Sequence, residues 1–395
     1  MPCSPVAPKE PPLSLADFQN EIYLAGLGGV VPELPADLHR LEEVARTRLT
    51  PQAHGYVAGA AGAERTARDN LAAFDQWKIV PRMLRDVAER DLSVTVLGTQ
   101  MPAPVILGPV GVLRILHPDG ELAVARAAKA LGVTMTLSTA ASTAMEEVAA
   151  EAGPRWFQLY WPKDRELAAS FVHRAKESGY TALVVTLDTF AMAWRPRDLD
   201  QAYLPFLQGI GVQNYWSDPV FHKAIGGPVT EDNRDRALLH WAANFGDASL
   251  TWGDLAWLRE EWDGPIVLKG IQHLDDARRA VDAGMDGIVV SNHGGRQVDG
   301  AIPSLQALPA IAAEVGSRIT VLFDSGIRSG ADVAKALALG AEAVMIGRPY
   351  AFGLGLAGED GVRHVLRCLM AELDLTLALA GRSTLADVGR DLLSP

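Results

Sequence analysis

The sequence predicts an α/β fold, a closed (β/α)8 barrel, with an N-terminal helical extension and a long loop insertion after strand 4. Three observations predict it. Eight short apolar runs recur along the chain, each ending in polar or glycine residues. They are continuous rather than alternating, as strands buried on both faces require. Stretches with helical spacing separate them, and the eight units fill residues 103–349, about the ~250 residues such a barrel needs. An open doubly wound sheet is the alternative. The eightfold regularity disfavours it, and so does the lack of a dinucleotide loop, since GLGG (26–29) follows no strand.

Taken in order, residues 1–35 form an N-terminal extension with a Pro-rich start that reads as partly disordered, and 36–395 form one domain. Before the barrel lie a helical stretch over roughly 36–61 and an extended one over 78–100. The strands are APVILGPVG (103–111), TMTLSTA (134–140), RWFQLYW (155–161), ALVVTLD (182–188), PIVLKGI (265–271), GIVVSNHG (287–294), TVLFDSG (320–326) and AVMIGRP (343–349). Leu255, Leu258 and Trp262 mark one helix at i, i+3, i+7, and Leu274, Ala277 and Val281 mark the next. Gly132, Gly153, Gly179, Gly264, Gly284, Gly316 and Gly340 precede strands, where a left-handed residue would close each helix. Residues 189–250 exceed any ordinary strand–helix loop. Their aromatic and proline content (YLPFLQGIGVQNYWSDPVF) predicts a packed lid or substrate wall.

Composition narrows the function. A net charge of −12 argues against nucleic acid and against a polybasic membrane anchor. Two cysteines, Cys3 and Cys368, make neither a disulfide framework nor a zinc site, so no metal is expected. Cys368 reads as a buried thiol. No signal peptide and no run of ~20 apolar residues is seen, which predicts a cytoplasmic protein.

Barrel residues at the C-terminal strand ends converge on one mouth. Those ends carry Tyr160, Asp188, Lys269, His293, Arg296, Asp324, Gly347 and Arg348. One histidine of nine means little alone, but isolated buried charges cost several kcal/mol, so their convergence is the signal. DSGIRSGADV and IGRP supply glycines, a helix start and arginines, which suit a phosphate. His293 with Asp188 suits a base and its orienting carboxylate. Arg296 and Arg195 suit a carboxylate clamp, and Lys269 suits developing negative charge on a cofactor. Together these suggest a flavin enzyme acting on a 2-hydroxy acid.

SNHGGRQVDG (291–300), with FQLYWPKDR, VLKG, FDSGIRSGADV and ALALGAEAVMIGRP, resembles the FMN-dependent α-hydroxy-acid oxidase and dehydrogenase family from about residue 36 onward. Within it, NEIY (20–23), YVAGAAGAERT, VPRMLRDVAERDLSV and the WRPRDLD run with its insertion are most similar to the lactate 2-monooxygenase branch. The resemblance implies FMN as cofactor, a small 2-hydroxy acid and O2 as substrates, and a homotetramer or octamer. The reaction it implies is L-lactate and O2 to acetate, CO2 and water. The alternative is an oxidase or dehydrogenase giving the 2-oxo acid from a larger substrate. An FMN-barrel isomerase would not need His293 together with two arginines, and failure to retain flavin would mark a non-catalytic binding barrel.

The same resemblance implies that His293 takes the substrate proton and Asp188 stabilises the imidazolium. Arg296 and Arg195 hold the carboxylate with Tyr56, and Tyr160 bonds the hydroxyl. Lys269 supports charge on the reduced ring. Pro109, Val110, Gly111, Ser138, Gln158, Thr186 and Ser291 contact or flank the flavin. Asp324, Ser325, Gly326, Arg328, Gly347 and Arg348 hold ribityl and phosphate. Gly111 replaces a frequent alanine and is expected to open space beside the ring, favouring the monooxygenase. Ala140, Phe190 and Ala193 are expected to widen the side-chain pocket.

Overall fold

Eight parallel strands close on themselves in the computed structural model, which describes residues 14–395. They are β1 (Val105–Leu107), β2 (Thr134–Ser138), β3 (Arg155–Leu159), β4 (Leu183–Thr186), β5 (Ile266–Ile271), β6 (Gly287–Val290), β7 (Thr320–Phe323) and β8 (Ala343–Ile346). Each expected apolar run supplies one strand, and β8 pairs back onto β1 through Met345 opposite Ile106.

Period-2 alternation sorts the strands other than β2, whose alternate positions are Thr134, Thr136 and Ser138, into two cores. Ile106, Trp156, Val184, Val267, Val289, Leu322 and Met345 pack together in the barrel interior, apart from the larger core beneath the helices. The hairpin Val94–Val96/Thr99–Met101 adds Val96 and Met101 to the interior core. Trp156 Nε1 donates to Thr99 Oγ1 at 3.3 Å, tying the hairpin to β3.

The region before the barrel is more broken than expected. The stretch read as helical is three pieces, Leu38–Arg40, Leu41–Arg48 and Pro51–Ala58, the last opened by Thr50 accepting from Ala53 N and by Pro51 at its first turn. A further helix, Arg65–Ala72, follows. The stretch read as extended contains only Lys78–Ile79 and the hairpin strands. GLGG ends the helix Asp17–Leu27 and forms no nucleotide loop. Cys368 is buried as expected; Cys3 lies outside the described residues.

Two expectations need correction. Gly132, Gly179, Gly284 and Gly340 have the left-handed φ of a helix-closing residue, but Gly153, Gly264 and Gly316 do not. Backbone bonds such as Gly316 N to Ala312 O complete the last helical turn instead. Nor is the 189–250 insertion simply a loop. It contains Pro196–Leu199, Gln213–Trp216, Pro219–Ile225 and Arg234–Asn244 as helices. Asn214, fully buried, donates to Ser138 O and Thr139 O at 3.3 and 3.1 Å and accepts from Met145 N at 2.9 Å. Asp218 accepts from Arg174 Nη1 at 2.8 Å and Ser170 Oγ at 2.7 Å. The insertion's middle is therefore bolted to the barrel. Among the described residues no helix is long and apolar enough to cross a membrane, and no His/Cys/Asp/Glu cluster could hold a metal.

Candidate active site

The polar groups at the barrel mouth follow from the strand period. Two residues beyond the interior Trp156, Val184, Val267, Val289 and Leu322 stand Gln158, Thr186, Lys269, Ser291 and Asp324, on the same side of their strands. Ser138 pairs with Gln158 and Thr186 with Lys269 across neighbouring strands.

Lys269 is buried, with Nζ 2.9 Å from Asp324 Oδ2 and donating to Ser291 Oγ at 2.9 Å. Burial opposes its charge, but Asp324 and Asp188 hold its pKa above the ordinary lysine value. Ser138 Oγ donates to Gln158 Oε1 at 2.9 Å. Gln158 Nε2 and Thr186 Oγ1 are buried without a partner, which a polar ring edge would satisfy.

His293 Nδ1 lies 2.8 Å from Asp188 Oδ1. A carboxylate only accepts, so Nδ1 carries the proton and Nε2 is left as a lone pair. His293 sits at φ 59°, held by its own N donating to Ser291 Oγ at 3.0 Å. Burial pushes its imidazole below the ordinary histidine pKa, opposed by Asp188 and aided by Lys269 and Arg195. Burial alone would raise Asp188, but His293 and Lys269 bring its carboxyl down to about 2. Burial also takes the Tyr160 hydroxyl up to about 12, keeping it protonated.

Three guanidiniums gather below. Arg348 donates to Val57 O, Gly294 O and Gly59 O at 3.0, 2.8 and 2.9 Å. Burial first, then Arg296 and Arg328, depress it to about 9. Arg328 is likewise lowered by burial, and Arg296, donating to Tyr56 O and Gly59 O at 2.6 and 2.7 Å, falls to about 10. Half-buried cations whose side-chain hydrogen bonds go only to carbonyls call for an anion. Gly326 at φ 99° and Gly347 stand beside them, and a Cβ at Gly326 would come 2.6 Å from Asn70 O. The cradle and the unpartnered Gln158 and Thr186 atoms fit a phosphorylated, ring-bearing cofactor.

One cavity gathers Tyr56, Pro109, Val110, Gly111, Ser138, Tyr160, Arg195, Lys269, His293 and Arg296 with the cradle residues Asp324, Ser325, Gly326, Arg328, Gly347 and Arg348. Gln158 and Ser291 stand behind it, and Asp188 and Thr186 face a second cavity that shares Tyr160 and Thr189. The sequence reading missed Met192, Leu204, Phe206 and Phe245, which the insertion adds to the first cavity's wall. Their aromatic-rich segment was the available signal. Phe206 stacks on Trp241 at 4.8 Å and Trp241 lies 5.2 Å from Phe245, fixing two of them.

Two specificity expectations change. Phe190 lines the second cavity rather than the first. Gly111 opens no space: a Cβ there would lie 2.8 Å from both Ala140 Cβ and Ala140 O, because Val112 N donates to Ala140 O at 2.9 Å and draws the two turns together.

The comparisons place the chain among flavin enzymes. The model of the FMN-dependent dehydrogenase family matches residues 45–395. An FMN-dependent alpha-hydroxy acid dehydrogenase of Penicillium citrinum is 49% identical over 389 residues, covering 97% of this chain and 96% of that protein. An L-lactate oxidase of Lysinibacillus sphaericus is 41% identical over 87% of this chain and 89% of its own. A solved structure of mandelate oxidase with (S)-4-hydroxymandelic acid superposes with a TM-score of 0.81 at 40% identity, covering 91% of this chain and 98% of that one. The chain belongs to the FMN-dependent dehydrogenase family, with FMN as its cofactor and the oxidation of 2-hydroxy acids as its chemistry.

Proposed function

We propose that the protein oxidises an L-2-hydroxy acid with an apolar side chain larger than methyl to the 2-oxo acid. The observation that carries this is the apolar part of the cavity wall, where Ala140, Met192, Leu204, Phe206 and Phe245 leave the side chain no polar partner. That mandelate oxidase holds an aromatic hydroxy acid supports the same reading.

The residues take these parts. Arg195 and Arg296, with Tyr56, hold the substrate carboxylate. Tyr160, protonated at every working pH, donates to the substrate hydroxyl oxygen. His293 Nε2 takes the hydroxyl proton, and Asp188 balances the imidazolium. Bound FMN supplies the two-electron acceptor, and Lys269 stands charged where negative charge develops. Arg348 and Arg328 would hold the FMN phosphate, with Gly326, Gly347, Asp324 and Ser325 beside them for the ribityl chain. Pro109–Gly111, Ser138, Gln158, Thr186 and Ser291 surround the ring.

A second reading, the lactate 2-monooxygenase, is favoured by the insertion's share in the cavity wall, since a closed site retains pyruvate for conversion to acetate and CO2. Gly111 no longer supports it. A homo-oligomer acting without nucleic acid or membrane remains part of the proposal.

A product balance in air separates the two. L-Lactate is compared with 2-hydroxy acids of increasing side chain, up to mandelate. Larger acids turned over faster than lactate, with equimolar 2-oxo acid, support the first reading. Acetate and CO2 from lactate without free peroxide support the second. A flavin-loaded protein that turns over no 2-hydroxy acid would sink both.

A further inference from the structure

Gln297 ends the stretch SNHGGRQ, and none of the roles above uses it. Its side chain is fastened at both ends. Nε2 donates to Asp188 O at 2.5 Å and Ala191 O at 3.2 Å, and Oε1 accepts from Arg195 Nη2 at 2.7 Å. Arg195 Nε donates in turn to Arg296 O at 3.0 Å. Arg195 is thus bonded to an amide and a carbonyl, both uncharged. Asp198 faces both arginines from the adjoining helix, where burial raises its carboxyl above the ordinary range.

We propose that Gln297 is the positioning residue of the substrate-carboxylate clamp. It holds Arg195 in place without neutralising it, and it ties the first residues of the insertion to the loop that bears His293 and Arg296. The inference rests on the reading of Arg195 and Arg296 as that clamp.

The chemistry selects an amide. A primary amide accepts through its oxygen while donating two N–H groups, so one side chain can serve a guanidinium and two carbonyls at once. A carboxylate could accept from Arg195 but could not donate to Asp188 O or Ala191 O. Its charge would also compete with the substrate anion for the same guanidinium. An aliphatic or thioether side chain of similar length keeps the bulk and loses all three bonds. Two cations brought together in a half-buried site repel, so Arg195 needs a fixed tether to stay beside Arg296 until the substrate arrives.

The test uses the FMN-loaded enzyme and oxalate, a carboxylate with no hydrogen to give up, followed by the flavin absorbance change. Gln297→Met is expected to weaken oxalate about tenfold, the size of one charge-assisted hydrogen bond. KM for the 2-hydroxy acid should rise more than kcat falls. Gln297→Glu is expected to weaken oxalate further than Gln297→Met, and that extra loss should shrink as pH falls and the new carboxyl protonates. Arg195→Met is the control for the clamp. Should Gln297→Met fail to fold with flavin, the pH dependence of the isosteric Gln297→Glu carries the test. If Arg195→Met loses oxalate while Gln297→Met binds it like the parent, or Gln297→Glu shows no pH-dependent loss, the role of Gln297 is overturned and the clamp stands. If Arg195→Met and Arg296→Met both bind oxalate normally, the clamp reading itself fails.

Discussion

His293 and Asp188, 105 residues apart in sequence, meet with Nδ1 2.8 Å from Oδ1. The contact fixes the imidazole tautomer, and its surroundings fix its charge. Burial, Lys269 and Arg195 outweigh Asp188 and leave the base neutral at neutral pH. Nε2 is therefore ready to accept a proton before substrate enters.

The pH profile follows from that sign. A base whose pKa lies below 6.5 loses activity only as pH falls through that lowered value. kcat/KM for the 2-hydroxy acid is expected to rise tenfold per pH unit below that pKa and to level off above it. Asp188→Asn removes the charge that raises His293 and balances the imidazolium. Anaerobic flavin reduction should then slow by about 10²–10⁴-fold. A profile still climbing well above pH 7 would contradict this assignment.

The phosphate role proposed for Arg348 predicts how the chain grips its cofactor. The Arg348 guanidinium, depressed to about 9 by burial and by Arg296 and Arg328 but still charged at neutral pH, gains a counter-charge when a phosphate arrives. Arg348→Met is expected to purify with little flavin and to lose the preference for FMN over riboflavin, measured by flavin content and fluorescence titration. Stripping FMN from the parent protein should lower its melting temperature. Free FMN at a hundredfold over Kd restores about 2.7 kcal/mol.

Gly111 separates packing from reactivity. Gly111→Ala would place a methyl 2.8 Å from Ala140 Cβ and O, and overpacking of that kind costs about 1–3 kcal/mol. Urea unfolding should register the loss. An unchanged midpoint, with a changed ratio of acetate to pyruvate, would restore Gly111 as a determinant of product outcome.

Asp374 helps clasp the N-terminal segment to the C-terminal helix Arg348–Leu379. Asp374 accepts from Arg90 Nε at 2.5 Å and Nη2 at 3.1 Å, Ser14 Oγ at 2.5 Å and Ala16 N at 3.0 Å. Burial alone would raise it, but these donors hold its carboxyl below 3.8. A depressed carboxyl contributes stability above its unfolded pKa and loses it as pH falls through the folded one. Asp374→Ala is expected to cost about 3 kcal/mol, the low end for breaking a buried pair because Arg90 is one-fifth exposed. Melting curves should show the parent and variant converging below about pH 3.8.

Much of the site was legible because it is local to the strands. Lys269 and Asp324 were legible as ionisable residues at strand ends, whereas Gln158, Thr186 and Ser291 followed only from the family resemblance, because continuous apolar runs do not show which residues face the barrel interior. The arginine cradle was legible as residue types but not as geometry. Its partners are the carbonyls of Val57, Gly59 and Gly294, and every residue has a carbonyl. The Asn70–Asn292 amide pair, 2.8 Å in both directions, left no trace in the sequence either. It joins the helix Arg65–Ala72 to the loop that carries His293 across 222 residues.

The sequence by itself determined the barrel, its insertion and the residues able to do acid–base and anion chemistry, since hydrophobic period and residue type are properties of short stretches. The tertiary structure decided what surrounds them. It set Gly111 against Ala140, moved Phe190 to a separate cavity, bolted the middle of the insertion to the barrel and fastened Arg195 through Gln297. Those outcomes depend on distances between segments far apart in the chain, which burial and backbone hydrogen bonding fix only when all eight strands close.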